Sequence, residues 1–444
     1  MPVLKFPEGF LWGAATASYQ IEGSPLADGA GESIWHRFSH TPGKIDHGHN
    51  ADKTCDHYNR WQEDVALMRE LGLKAYRFSI AWPRIFPQGR GAMNRPGLDF
   101  YDRLVDALLE ADIQPMATLY HWDLPQALQD RGGWADPDTV GRYADYAETI
   151  FSALGDRVQR FVTFNEPWVF VWLGHALGLH APGLCDVATA LRAGHNVLLA
   201  HGAAVERFRA ASPPSEIGIT LSIQAVMPED DASEDDRDAA ERYGAFLNTW
   251  FADPLLLGEY PQPIRDQFGE RLPAIDDAAR AQMQRPIDFI GVNYYERSVV
   301  RHEAGNFFKT NRIRPLGQIG GMEWEVYPAG LYHVLTDLHR RYDLPLLVTE
   351  NGFASETEQP DAKGFVEDDD RLRFLQSHFE MAHRALSEGV NLRGYLVWSL
   401  LDNFEWSFGF GERFGLIRCD YETLQRVPKK SAQWYARVIA ENGI

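Results

Sequence analysis

Two glutamates in this sequence stand in matching settings. Glu166 lies in TFNEP, residues 163–167, and Glu350 in LLVTENG, residues 346–352. Each follows a short apolar and β-branched run that reads as a strand, and each has an amide beside it, Asn165 or Asn351. Pro167 has no N–H to give, so the first run must leave its ladder there. One carboxylate at a strand end is an ordinary ion-pair position. Two on two strand ends point to glycoside hydrolysis, which needs a carboxylic acid to protonate the leaving oxygen and a carboxylate across the sugar ring. Carboxyls about 5–5.5 Å apart make the second a nucleophile and retain configuration; roughly 6.5–9.5 Å admits a water and inverts it. The sequence leaves both outcomes open.

The elements that must hold these residues alternate regularly. Strand candidates fall at 9–20 (with its outgoing loop), 73–80, 113–120, 158–165, 216–223, 287–295, 344–350 and 392–400. Between them apolar residues recur three or four apart. Trp61, Val65, Met68 and Leu71 predict one amphipathic helix; Leu372, Leu375, Phe379, Ala382 and Leu386 predict another. Further helices are expected near 138–154, 187–210, 329–342 and 430–441. Regular β-α alternation calls for a parallel sheet. Eight units with continuously apolar strands predict the α/β class and a closed (β/α)8 TIM barrel. We expect one catalytic domain over residues 1–444, with elaborated βα loops forming the pocket. No G-x-G-x-x-G follows the first strand, which argues against a dinucleotide site.

Such a barrel carries its site at the C-terminal strand ends. Those ends supply Gln20, Arg77, His121 with Trp122, Asn165 with Glu166, Asn293 with Tyr295, Glu350 with Asn351, and Trp398; Glu405 and Trp406 follow on the last loop. A ring of polar and aromatic side chains exceeds what caps and turns require. Strands four and seven are expected on opposite sides of the mouth, so that their glutamates face each other.

Composition narrows the partners. With 43 basic and 63 acidic side chains the net charge is −20, which opposes nucleic acid and anionic membrane. No apolar run approaches the ~18 residues of a membrane span, and the N-terminus lacks a signal-peptide core. Cys55, Cys185 and Cys419 are odd in number and widely spaced, against a disulfide framework or thiolate zinc site. A cytoplasmic location is expected; oligomeric state is left open. His47 and His49, with Asp46 and Asp52, lack a supporting ligand spacing, so no metal is expected there. The chemistry requires no metal or organic cofactor. His175, His180, His195 and His201 read as polar helix or loop positions. The acidic runs at 229–236 and 367–370 read as solvated loops and helix starts.

From FPEGFLWGAATASYQIEG (6–23) to SLLDNFEWSFGFGERFGL (399–416), nearly the whole chain resembles a glycoside hydrolase family 1 β-glycosidase of the bacterial β-glucosidase kind. TFNEP together with TENG is the specific part; RFSIAWPRI (77–85) and LYHWDLPQAL (119–128) add to it. The resemblance implies a retaining double displacement, with Glu166 as acid/base and Glu350 as nucleophile. Arg77 is then the cation that favours ionised Glu350, and Tyr295 holds its attacking oxygen. Asn293 joins this catalytic group from the sixth strand. Charge on Glu350 raises the proton affinity of Glu166, and a sugar bound to Glu350 removes that charge.

Asn165 resembles the partner of the sugar 2-hydroxyl. Gln20, His121, Trp122, Glu405 and Trp406 resemble the residues that hold the non-reducing sugar. Trp398 resembles the floor beneath its ring, and Trp324 an aglycone platform. The Glu405 carboxylate would repel phosphate and so favours an unphosphorylated sugar. Glu rather than Gln at 166 argues against the thioglucosidase branch. The implied function is exo-hydrolysis of terminal β-D-glucosyl residues from β-glucosides and cello-oligosaccharides. A β-galactosidase or β-fucosidase of the same family, or a catalytically silent sugar-binding barrel, are the alternatives.

Overall fold

The computed structural model describes residues 3–211, 213–313 and 317–444. Eight parallel strands close into a barrel: β1 (Leu11–Ala15), β2 (Ala75–Ser79), β3 (Gln114–Tyr120), β4 (Arg160–Asn165), β5 (Glu216–Ser222), β6 (Phe289–Asn293), β7 (Leu346–Asn351) and β8 (Leu392–Trp398). Each pairs with its neighbour in chain order, and β1 closes on β8 from Leu11 opposite Gly394 to Ala15 opposite Trp398. The strands are buried almost throughout, between a filled interior and an outer layer of helices. That explains why their sequences are continuously apolar rather than alternating.

The first strand is the short buried one expected. It ends at Ala15, and Gln20 sits instead in a helical turn, Ser18–Ile21. Its small residues permit close strand approach: a Cβ on Gly13 would meet the Ala75 carbonyl oxygen at 2.4 Å. The outer helices bury the faces that their periodicity marks. Arg95–Glu110 turns Leu98, Tyr101, Leu104 and Leu108 inward. Both acidic runs do open helices. Glu234, Asp235 and Asp236 form the first turn of Glu234–Gly244, capped by Ser233, and Asp369 and Asp370 begin Asp369–Ser387. Asp368 departs from the solvated reading: it is buried and takes hydrogen bonds from Ser431 N and Oγ.

Two features bear on the glutamates. First, β4 and β7 are three places apart around the barrel, not diametrically opposed. Strand order in a closed eight-strand sheet places β8, not β7, opposite β4. Second, the register shifts in both. The β4–β5 ladder slips between Val162 and Asn165, and the β7–β6 ladder slips between Val348 and Glu350. Such irregularities bend a strand and re-aim the side chains beyond them.

Loops on the same rim carry structure of their own. Ala225–Pro228, Arg297–His302 and Thr310–Ile313 form a three-stranded sheet, and Val169–Ala176 is a π-helix. No helix among the described residues is long and apolar enough to cross a membrane.

Candidate active site

The top of the barrel interior is a polar network in an otherwise apolar core. Arg77 on β2 is fully buried and reaches across the barrel. Its Nε donates to Thr118 Oγ1 at 3.0 Å, its Nη2 to Asn165 Oδ1 at 2.7 Å, and its Nη1 to Glu350 Oε1 at 2.5 Å. Asn293 on β6 donates from Nδ2 to Glu166 Oε1 at 2.9 Å and to Asn165 Oδ1 at 3.1 Å, while Thr349 Oγ1 donates to Asn293 Oδ1 at 2.8 Å. Tyr295 OH donates to the second Glu350 oxygen at 2.8 Å. Both Glu350 oxygens are therefore held, one by a cation. The two amides beside the glutamates differ. Asn165 faces the site, whereas Asn351 turns into the scaffold, donating to the Tyr294 carbonyl and accepting from Tyr395 OH.

The backbone carries strain where these side chains are presented. Glu166, Trp122 and Trp406 all have positive φ, at 50°, 78° and 49°. Non-glycine residues rarely stay in that region unless surroundings hold them there. Glu166 N still donates to Thr220 O at 2.9 Å, so the ladder continues one residue past β4 before Pro167 ends it.

Glu166 and Glu350 open into one cavity of about 320 Å³. Their environments differ. Burial and the nearby charge of Glu350 push the Glu166 carboxyl up to about 8. Burial also raises Glu350, but Arg77, Tyr295 and Asn293 pull it back toward the charged form. The two environments therefore favour the proton on Glu166 over Glu350, the division that acid/base chemistry at neutral pH needs.

Around the acids stands an aromatic and polar wall. Trp122, Trp398, Trp406 and Trp324 line the cavity with His121 and Glu405. His121 Nε2 lies 3.0 Å from the Asn165 amide nitrogen, and burial together with Arg77 holds its ring neutral, well below the usual histidine range. Nε2 therefore accepts, and the proton sits on Nδ1. Trp122 lines the cavity and gives its indole N–H to the Asn165 carbonyl at 2.9 Å. Gln20 is fully buried behind Glu405, donating to Asn403 Oδ1 at 2.9 Å and Glu405 Oε2 at 3.2 Å. Burial, with Glu350 and Glu412 nearby, raises the Glu405 carboxyl well above its ordinary range. Trp324 packs 4.9 Å from Tyr295.

Several contributors escaped the sequence reading. Thr118, Thr349 and Asn403 position Arg77, Asn293 and Gln20; the only signal is a lone hydroxyl or amide in an apolar stretch. His180, read as an ordinary polar position, lines the cavity with Trp168. So do Glu296 and Arg312, joined at 2.5 Å across the three-stranded sheet. His47 and His49 lie elsewhere, and His49 Nδ1 accepts from Phe410 N.

Comparison with known proteins agrees with this geometry. A model of the family described as glycosyl hydrolase family 1 matches residues 3–444. Beta-glucosidase A of Thermotoga maritima is 46% identical over 447 residues, covering 100% of both chains. Beta-glucosidase A of Acetivibrio thermocellus is 46% identical over 450 residues, again over 100% of each. The solved structure of the Thermotoga maritima β-glucosidase in complex with glucoimidazole superposes with a TM-score of 0.97 at 46% identity, covering 100% of both. With the barrel, the paired glutamates and a match along its length, the chain belongs to glycosyl hydrolase family 1.

Proposed function

We propose that this enzyme is a retaining exo-β-glucosidase that removes terminal β-D-glucosyl residues from β-glucosides and cello-oligosaccharides, with residues 1–444 acting as one catalytic domain. The observation that carries the reading is the opening of Glu166 and Glu350 into one cavity, with the proton favoured on Glu166 and Glu350 held by Arg77 and Tyr295. Family membership supports retention of configuration, and the relatives named β-glucosidase support glucose as the sugar.

The steps follow from the two environments. Glu350 bonds to the anomeric carbon while Glu166 passes its proton to the glycosidic oxygen, and the aglycone departs as a neutral alcohol. Glu350, now an ester, carries no charge, so the electrostatic push on Glu166 disappears and it becomes a willing base. Water gives its proton to Glu166 and its oxygen to the anomeric carbon. The ester bond breaks, Glu350 recovers its charge, and sugar leaves with its original configuration. Asn293, bound to Glu166 Oε1, leaves Oε2 as the proton carrier. His121 Nδ1 and Gln20 Oε1, buried and without hydrogen-bond partners among the described residues, are a donor and an acceptor suited to sugar hydroxyls.

Hydrolysis of cellobiose and of aryl β-glucosides, galactosides and fucosides, with the first-formed anomer read by NMR, tests the proposal. Preferred release of glucose as the β-anomer is expected. Release of the α-anomer removes the nucleophile role from Glu350. A clear preference for galactoside or fucoside moves the enzyme to another specificity of the family, and no turnover of any substrate makes the barrel a binder.

A further inference from the structure

Away from the sugar cavity, the short helix Ile34–Ser39 carries His36, and His40 follows one turn later as its C-cap. The loop after it brings Asp52 against both. One ligand atom from each of the three lies within 4.8 Å of the others. The rings converge on the carboxylate: Asp52 Oδ2 is 3.1 Å from His40 Nε2, and Oδ1 is 3.7 Å from His36 Nε2. Ligands about 2.0–2.1 Å from a tetrahedral zinc stand roughly 3.3 Å from one another. The two Asp52 separations, 3.1 and 3.7 Å, lie near that spacing.

The far nitrogen of each ring supplies an independent observation. His40 Nδ1 lies 2.7 Å from the His36 carbonyl oxygen, and His36 Nδ1 lies 3.4 Å from Glu32 Oε1. An acceptor at each Nδ1 holds a ring proton there, and His40 Nε2 donates to Asp52 Oδ2, a proton that a divalent ion would displace. Outer acceptors of this kind fix the tautomer and orientation of histidines that ligate metals. A neighbouring cation, Arg37, is tied to Glu32 Oε2 at 2.6 Å and to Asp130 at 2.8 Å. His40 and Asp52 are exposed, so water can complete the shell.

We propose that His36, His40 and Asp52 form a binding site for a divalent transition metal of the Zn²⁺ type. Two imidazoles with one carboxylate suit such an ion, whereas Ca²⁺ and Mg²⁺ take oxygen ligands. None of the three lines the sugar cavity, so the ion takes no part in the reaction. It clips the helix to the loop. Trp35 on that helix packs 4.5 Å from Trp406, so the clip braces the wall behind the sugar site.

The test uses the full, untagged chain, stripped with chelator and titrated with ZnCl₂ by calorimetry, with Co²⁺ absorption as a second reading. One ion per chain is expected, with d–d bands on cobalt binding. Saturation at a hundred times the dissociation constant raises Tm by about 3 °C for a chain this long. His36→Gln and His40→Gln lower the affinity at least ~10-fold, and Glu32→Gln about 10-fold. A His47→Gln/His49→Gln variant binds as wild type. Aryl-glucoside hydrolysis by the metal-free variants at the wild-type rate verifies that they fold; if His36→Gln does not, Asp52→Asn in the exposed loop answers the same question. Absence of saturable zinc binding, or affinity unchanged in the folded ligand variants, overturns the site.

Discussion

Two clusters of buried charge in this enzyme differ in balance. At the barrel mouth, Glu166, Glu350 and Glu405 share a cavity, and Arg77 is ion-paired to Glu350. Behind the loop after β8, Asp402, Asp368 and Glu358 meet Lys429, Arg371 and Arg413 at 2.5–2.8 Å. Burial acts on both. At the mouth it prevails: all three carboxyls are raised, Glu166 to about 8. In the second cluster burial would raise Asp402, yet Lys429 and Arg413 hold it below its usual range. Burial still pulls the Lys429 ammonium below its own ordinary value. Charge balance, rather than depth, separates a scaffold from a reactive site.

The comparison breaks most severely if the mouth's anion is removed. Glu350→Ala is expected to lower kcat on the order of 10⁴-fold or more, and azide should restore turnover with inverted product. Wild-type turnover in that variant would take Glu350 out of the chemistry. Glu166→Ala should cost about 10²–10⁴-fold on substrates with poor leaving groups and much less on activated aryl glucosides. Equal losses on both would deny it the acid role.

Breaking the balanced cluster should leave chemistry alone. Lys429→Met strands Asp402 and Glu358 without their shared cation. We expect a loss of about 3–5 kcal/mol, or about 3–5 °C in Tm for a chain of this length, with kcat unchanged at 25 °C. A fall in kcat without a fall in Tm would erase the distinction between the clusters.

Smaller effects sharpen it. Glu405→Gln removes one of three crowded carboxyls. The remaining pair should then give up protons more readily, moving the alkaline limb of kcat/KM to lower pH and weakening glucoside binding. An unmoved limb would mean that Glu405 is electrostatically remote. Stability should also respond to pH in opposite directions. Raised Glu166 favours the folded state at low pH, and that contribution is lost as pH rises from the ordinary carboxyl range through about 8. Depressed Asp402 contributes above its ordinary value and loses it as pH falls. Glu166→Gln should therefore flatten the decline of Tm between about pH 5 and pH 8 without touching the acid side.

Much of this was legible in the residues. Eight apolar runs marked eight strands because strands buried on both faces carry no polar alternation. Their last residues marked the site because polar groups there have no packing reason. The angular error over β4 and β7 arose because periodicity counts strands but does not close them. The loop sheet at 225–228, 297–302 and 310–313 was missed because short edge strands alternate weakly, and the Glu296–Arg312 contact in the cavity was missed with it. The Asp402–Lys429 and His36–Asp52 contacts join residues whose spacing carries no signal. Chain order hides such meetings until the barrel brings them together.

The slipped registers in β4 and β7 set a limit on how this catalyst can vary. The irregularity in each strand lies just beneath its glutamate, so strand length and acid placement are tied together. Adding or deleting one residue below Glu166 or Glu350 would turn that side chain out of the barrel mouth. Rim segments such as 225–228 and 297–313 bear no such tie. Natural divergence and laboratory grafting alike have freedom to exchange those outer segments while Glu166 and Glu350 stay in place.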